Sequence, residues 1–240
     1  MATIYSPNLV SSGLTLCLDP ANTRSYPGSG TSWFDLSGNG YTFTVNASAY
    51  STTGGIPHMN FEGSFGAAKR VVSGALTNVP NFYDGTVMVF TTILNSTGTW
   101  RTLLRGSPSG PDHQVIVQAG ANTLGMYDNN NVGFLSSGFE ITSLPNPYTQ
   151  FNCLIWKLSQ GSPYYSFQYN SDSTTYTITN ANATFNNGFA TIGAYHNEST
   201  DVNNSSQYWG KIGWFGYYNR ALTSAEISQN FNALRGRFGI

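Results

Sequence analysis

The chain is predicted to fold as an all-β, two-sheet antiparallel sandwich with one short C-terminal helix. Three observations carry this expectation. Short apolar runs with a two-residue period recur, as in Leu14-Thr15-Leu16-Cys17-Leu18 and Tyr165-Ser166-Phe167-Gln168-Tyr169; such alternation loads one face of a strand. Turn residues punctuate the runs at intervals of about 8–12 residues, the rhythm of sandwiches and barrels. A helical period surfaces only after residue 220. Single sandwiches run to roughly 200–250 residues, and no linker interrupts these 240, so residues 1–240 read as one domain.

Taken in order, the first strand is Leu14 to Leu18, ended by Asp19-Pro20. A Gly/Ser/Pro-rich loop follows, then Trp33-Phe34-Asp35-Leu36-Ser37-Gly38-Asn39-Gly40, whose Asn-Gly pair signals a tight turn. Tyr41 to Val45 and His58 to Phe61 are short strands. Thr86 to Leu94 is apolar on both alternating faces, which suits a central strand covered on both sides. Arg101 to Arg105, Gln114 to Val117 and Thr123 to Tyr127 follow, and Phe151 to Leu158 is the second strong run. Tyr165 to Tyr169, Thr174 to Thr179, Ala190 to Gly193 and Tyr208 to Tyr218 complete the set.

The closing helix is marked by Thr223-Ser224-Ala225-Glu226, a capping box. Ile227, Phe231 and Leu234 then form one apolar stripe at i, i+4, i+7. Arg235 suits the last turn and Gly236 the position just past it. This helix is expected to lie on the sandwich surface and close an edge or end of the core, with Phe238 and Ile240 beside it. Trp33, Trp156 and Trp214 sit in apolar runs and are expected in the core.

Composition excludes several functions. Charged residues are 9% of the chain and the net charge is −1, so nucleic-acid backbones find no basic stripe. Hydrophobic content of 40% and aromatic content of 15% argue against disorder. No run approaches the roughly 18 apolar residues of a membrane span, and MATIYSPNLV lacks the basic and apolar regions of a secretory signal. Cys17 and Cys153 lie in apolar strands and read as buried free thiols rather than a bridge.

The two ends carry a resemblance. GLTLCLDPANTRSYPGSGTSWFDLSGNG resembles the opening of laminin G-like modules of the concanavalin A-like lectin/glucanase superfamily. His58-Met59-Asn60-Phe61-Glu62-Gly63 is similar to that family's F-D-G strand end, with Glu62 in place of Asp. IGWFGYYNRALTSAEISQNFNALRGRFGI resembles its closing strand and short helix, and the middle follows in strand pattern alone. The wording of both ends is also similar to modules in structural proteins of tailed bacteriophages, especially those infecting cyanobacteria. The resemblance implies a jelly-roll sandwich and a non-enzymatic virion surface protein, a capsid decoration or a fibre or adhesion module. Its implied partners are other virion proteins, copies of itself in a homo-oligomer, and host-surface glycan. Its implied location is the virion, assembled in host cytoplasm. Neither nucleic acid nor membrane is an expected partner.

Two alternatives stand beside it: a polysaccharide-degrading glycoside hydrolase of a phage tail, and a secreted carbohydrate-binding or adhesion module. Hydrolysis of a glycoside needs two carboxylates about 5–5.5 Å or about 6.5–9.5 Å apart. None of the eleven acids forms the E-x-D-x-E strand pattern of the glucanases; the closest pair, Glu198 and Asp201, sits in an Asn/Ser-rich loop. No catalytic residue is therefore assigned. His58, His113 and His196 are far apart in sequence and read as turn or surface residues.

Candidate ligand-binding residues flank two polar loops: Tyr127, Asp128 and Asn129 at one, and Tyr195, His196, Asn197, Tyr208 and Trp209 at the other. Aromatic faces stack on sugars, and amides and hydroxyls meet their hydroxyl groups; polar loops on a rigid scaffold are where function concentrates. No resident cofactor is expected. Calcium is the usual metal of laminin G-like modules, and Asp128, Glu198 and Asp201 offer it weak ligands, since it takes six to eight oxygens including carboxylates.

Overall fold

The computed structural model describes residues 8–45, 49–61, 71–73, 85–95, 98–105, 114–128, 133–159, 162–179, 191–193 and 209–240. Among them, β1 (Leu14–Leu18), β2 (Ser32–Phe34), β3 (Thr42–Val45), β4 (Tyr50–Ser51), β5 (His58–Asn60) and β6 (Val71–Ser73) come first. β7 (Gly85–Ile93), β8 (Arg101–Arg105), β9 (Gln114–Val117), β10 (Thr123–Asp128) and β11 (Gly133–Glu140) follow. β12 (Asn152–Leu158), β13 (Tyr165–Tyr169), β14 (Tyr176–Ile178), β15 (Thr191–Ile192) and β16 (Gly210–Tyr218) lead to α1 (Ser224–Phe238).

The strands form two sheets. The first runs β14-β13-β12-β7-β16-β5-β4, with β1 also paired to β16. The second runs β11-β10-β9-β8-β15-β6-β3-β2. Every described pairing is antiparallel. The expected all-β jelly-roll sandwich with one C-terminal helix is therefore what the chain adopts.

The core is double, and strand alternation makes it so. Val87 and Val89 of β7 join Leu154 and Trp156 of β12 and Phe215 and Tyr217 of β16 in the space between the sheets. From the second sheet, Phe43, Leu104, Val115 and Met126 meet them there. The intervening residues Met88, Phe90, Cys153, Ile155, Trp214 and Tyr218 face the other way and pack under α1. β7 is thus buried along its whole length, as its two apolar faces predict. Trp33, Trp156 and Trp214 are fully buried. Cys17 and Cys153 are buried free thiols.

Helix α1 covers the outer face of the first sheet rather than an edge or end of the core, because Ile227, Phe231, Leu234 and Phe238 all reach that face. Phe90 stacks on Phe231 and on Phe238, at centroid distances of 6.1 and 4.5 Å. Gly213 in β16 makes room for this: a Cβ there would lie 2.3 Å from Phe238 Cε1. The capping box forms as expected, with Thr223 Oγ1 accepting from the Glu226 backbone and Glu226 accepting from the Thr223 backbone. The helix ends later than Gly236: Gly239, at φ 71°, holds the left-handed closing position. The burial of Phe238 draws the last turn onward past Gly236.

Further departures concern single residues and weak strands. His58 is a buried strand residue, not a turn or surface one. Its Nδ1 lies 2.7 Å from the Ile56 carbonyl, its ring meets Phe151 edge-on, and burial lowers its pKa. The strands β2, β4, β6 and β11 were not anticipated. In β11, Gly133 and Gly138 both adopt positive φ. A register shift between Leu124 and Gly125 on its partner β10 further breaks the two-residue period.

Candidate functional site

Among the described residues, the outer face of the second sheet carries aromatic side chains that belong to neither core. Tyr127 of β10 pairs directly with Phe134 of β11. Met126 and Leu124 point into the sandwich core, so Tyr127 and Gly125 point outward. Trp100, just before β8, sets its ring edge-on against both. Its centroid is 5.5 Å from Tyr127 at an interplanar angle of 83°, and 5.5 Å from Phe134 at 64°. All three rings are half-buried, and none belongs to either core cluster.

The backbone makes room for this trio at Gly125. A Cβ there would come within 2.7 Å of the Phe134 ring and closer still to the Leu135 carbonyl. The Phe134 ring therefore lies down on the sheet over a residue without a side chain. Ser136, two residues beyond Phe134 and exposed, places a hydroxyl on the same strand face. The three rings thus cluster on one face, with the Ser136 hydroxyl beside them.

Further in, the same face closes. Gln114 and then Arg105 follow Tyr127 across β9 and β8 in register, and Arg105 pairs with Thr191. Arg105, Thr102, Ile116 and Thr191 are buried. At the adjoining end of the sandwich, Arg101 is buried as well. It donates to the Leu94 carbonyl at 3.1 Å and to Asn122 Oδ1 at 2.6 Å, which ties the loop after β7 to the turn before β10.

Of the residues named from sequence, Tyr127 stands in this trio. Asp128 ends β10 beside it. Trp209 is corrected: it is fully buried, and its Nε1 donates to Thr91 Oγ1 at 2.7 Å. Its backbone also bridges Gly193 and Leu94. It is a core residue and presents no face to a ligand. Asn129, Tyr195, His196, Asn197, Tyr208, Glu198 and Asp201 lie outside the described residues. Sequence reasoning passed over Trp100 and Phe134; the signal available for Phe134 was an aromatic just across the polar loop from Tyr127.

The described acids largely serve the scaffold. Asp19 pairs with Arg237. Asp35 accepts from the Cys17 and Ser37 backbones. Asp172 accepts from the Thr174 backbone, and Glu226 caps α1. Among the described residues no group of three or more His, Cys, Asp or Glu is placed to hold a metal ion.

No family model matches this chain, and no curated protein matches it. Solved structures do. Domain 4 of a GH43 extracellular arabinanase from Geobacillus stearothermophilus, in complex with arabinotriose, is similar over 91% of this chain and 98% of its own. The TM-score is 0.62 and the identity 15%. The binding domain of botulinum neurotoxin DC, in complex with SialylT, is similar over 93% of this chain and 52% of its own, with a TM-score of 0.61 and 13% identity. A Trypanosoma rangeli sialidase in complex with sialic acid is similar over 98% of this chain, with a TM-score of 0.62 and 15% identity. This chain spans only 36% of that sialidase. At these identities the likeness is one of fold: the chain is a β-sandwich, like these domains.

Proposed function

We propose that this chain is a non-catalytic carbohydrate-contact module that binds glycan on the outer face of the second sheet, at Trp100, Tyr127 and Phe134. The observation that carries it is the half-exposed trio itself. Aromatic rings of this size bury 150–250 Å² each when they join a core, and here a rigid sheet holds three of them partly in water. Such a surface matches the apolar face of a sugar ring. The structural neighbours support the reading, since two of them hold glycans in complex. Among the described residues, Asp19, Asp35, Asp172 and Glu226 are taken up by the scaffold, which fits a binding role.

The setting we propose is a virion surface, where the module decorates the capsid or forms part of a fibre, as a homo-oligomer that also contacts other virion proteins. The support for it is the resemblance of both chain ends to phage structural modules. A glycan array probed with the purified chain and with Trp100→Ala tests the function. Binding to at least one glycan, lost in the variant, is expected; no binding to any glycan removes the reading. Mass spectrometry of purified phage particles tests the setting, and absence of the chain from them removes it.

A further inference from the structure

Independently of the glycan reading, we infer that His58 is an acid-sensitive latch, whose protonation frees the last turn of α1 from the first sheet. The latch lies on the outer face of that sheet. Met59 points into the inter-sheet core, so His58 beside it on β5 points outward. There it is only 2% exposed. Its ring meets Phe151 edge-on with centroids 5.9 Å apart, and Phe151 packs on Phe238 of α1 at 5.1 Å. Gly213 of β16 lets these rings approach, since a Cβ there would lie 2.3 Å from Phe238 and 3.1 Å from Phe151. A run of three rings therefore joins the histidine to the end of the helix.

One hydrogen bond sets the state of the ring. Nδ1 lies 2.7 Å from the Ile56 carbonyl, which can only accept, so Nδ1 carries the hydrogen. Nε2 is then a bare lone pair, buried and without a hydrogen-bond partner. A second proton would place an N–H and a charge where no acceptor stands. Among the described residues, the charged groups on the elements packed here are Lys211 of β16, Arg237 of α1 and Asp19 after β1. Lys211 repels a second cation, and Arg237 and Asp19 are paired with each other. Burial holds the ring below its ordinary 6.5, against the Ile56 hydrogen bond and with help from Lys211. Once opened to water the ring regains its ordinary value, so the closed form is fully favoured above about pH 6.5 and loses ground as pH falls below it. The helix end gives way before a strand does. β5 is paired on both flanks, to β16 and to β4. The last turn of α1 is held to the sheet by side chains, Phe238 on the rings and Arg237 on the Gly213 carbonyl and Asp19, and helices fray from their ends.

Hydrogen exchange of the whole chain, read residue by residue at about pH 8 and about pH 5, the span in which histidine titrates, tests this. The amides of Gly239 and Ile240 both donate to the Arg235 carbonyl. After correction for the intrinsic effect of pH on exchange, they should lose protection at the lower pH while the amides around Asn230 keep theirs. Glu226, at the other end of the helix, titrates below this span and leaves the result unmixed. His58→Phe, whose ring takes no proton, should show equal protection at both pH values. In the wild-type chain the His58 ring signal, assigned by nuclear magnetic resonance with His113→Gln and His196→Gln, should titrate with its midpoint below 6.5. The wild-type exchange and titration decide the matter by themselves if His58→Phe does not fold. A midpoint at or above 6.5 overturns the latch, as does unchanged protection of Gly239 and Ile240. A loss confined to β4 and β5, or one that persists in His58→Phe, overturns it equally.

Discussion

Asn230, on the buried face of α1, holds three parts of the chain at one point. Its Oδ1 accepts from the Val10 backbone at 2.8 Å, and its Nδ2 donates to the Tyr218 hydroxyl at 3.0 Å. That hydroxyl in turn donates to the Val10 carbonyl at 3.0 Å. Removing one partner of a buried pair leaves the other without hydrogen bonds, which costs about 1–3 kcal/mol per group. Asn230→Leu keeps the branching and the number of side-chain heavy atoms but strands the Val10 N–H, so urea unfolding should show a loss of about 2 kcal/mol; a loss near zero would show that the N-terminal segment is not fastened there. The thiols give a second test at this scale. Burial, aided by Asp19 and Asp35, pushes Cys17 up to about 12, and burial alone pushes Cys153 up further. Thiolate is the reactive form, so both thiols should resist a disulfide reagent at pH 8 in the folded protein and both should react once it is unfolded.

The helix is the element whose start depends on ionisation. Glu226 is held down to about 2, first by the bidentate Arg220 guanidinium and then by the Thr223 backbone N–H. Its ordinary value is 4.5, so between these two values the unfolded chain binds the proton more readily than the folded one. Its contribution to stability is therefore complete above about pH 4.5 and is lost as pH falls toward 2. The thermal midpoint should drop across that window, and Glu226→Gln should flatten part of the drop. Thr223→Ala, which removes the cap hydroxyl, should cost about 1 kcal/mol at neutral pH. This helix was legible in the sequence because its signals are local, a cap and a stripe within twelve residues. The long buried strands were legible for the same reason. β11 was not, because glycines and a bulge on its partner erase the alternation. The site was half legible. Tyr127 flanks a polar loop, whereas Trp100 meets Tyr127 and Phe134 only through tertiary packing. Trp209 misled because an Asn/Ser run, 203–206, lies just before it in sequence, while the Thr91 hydroxyl that holds it lies 118 residues away.

At the scale of the molecule, one sheet serves two cores. Its strands send alternate side chains to opposite layers: Val87, Val89 and Trp156 toward the second sheet, Met88, Phe90 and Ile155 toward α1. Neither layer can leave without exposing apolar groups on strands that the other layer needs. Phe90 sits at the hinge of this dependence, stacked on Phe231 and Phe238 and edge-on to Trp214. Truncation of a buried Phe typically costs 3–5 kcal/mol, so Phe90→Ala should lower stability by about 4 kcal/mol. Two probes report on the two layers in the native protein. Tryptophan fluorescence is weighted toward the inter-sheet core, where Trp33, Trp156 and Trp209 lie, and helical circular dichroism follows α1, the one α-helix among the described residues. If the layers are coupled as the alternation requires, the two signals should change at the same denaturant concentration. A helical signal lost well before the fluorescence would mean that α1 peels away alone and the sandwich stands without it.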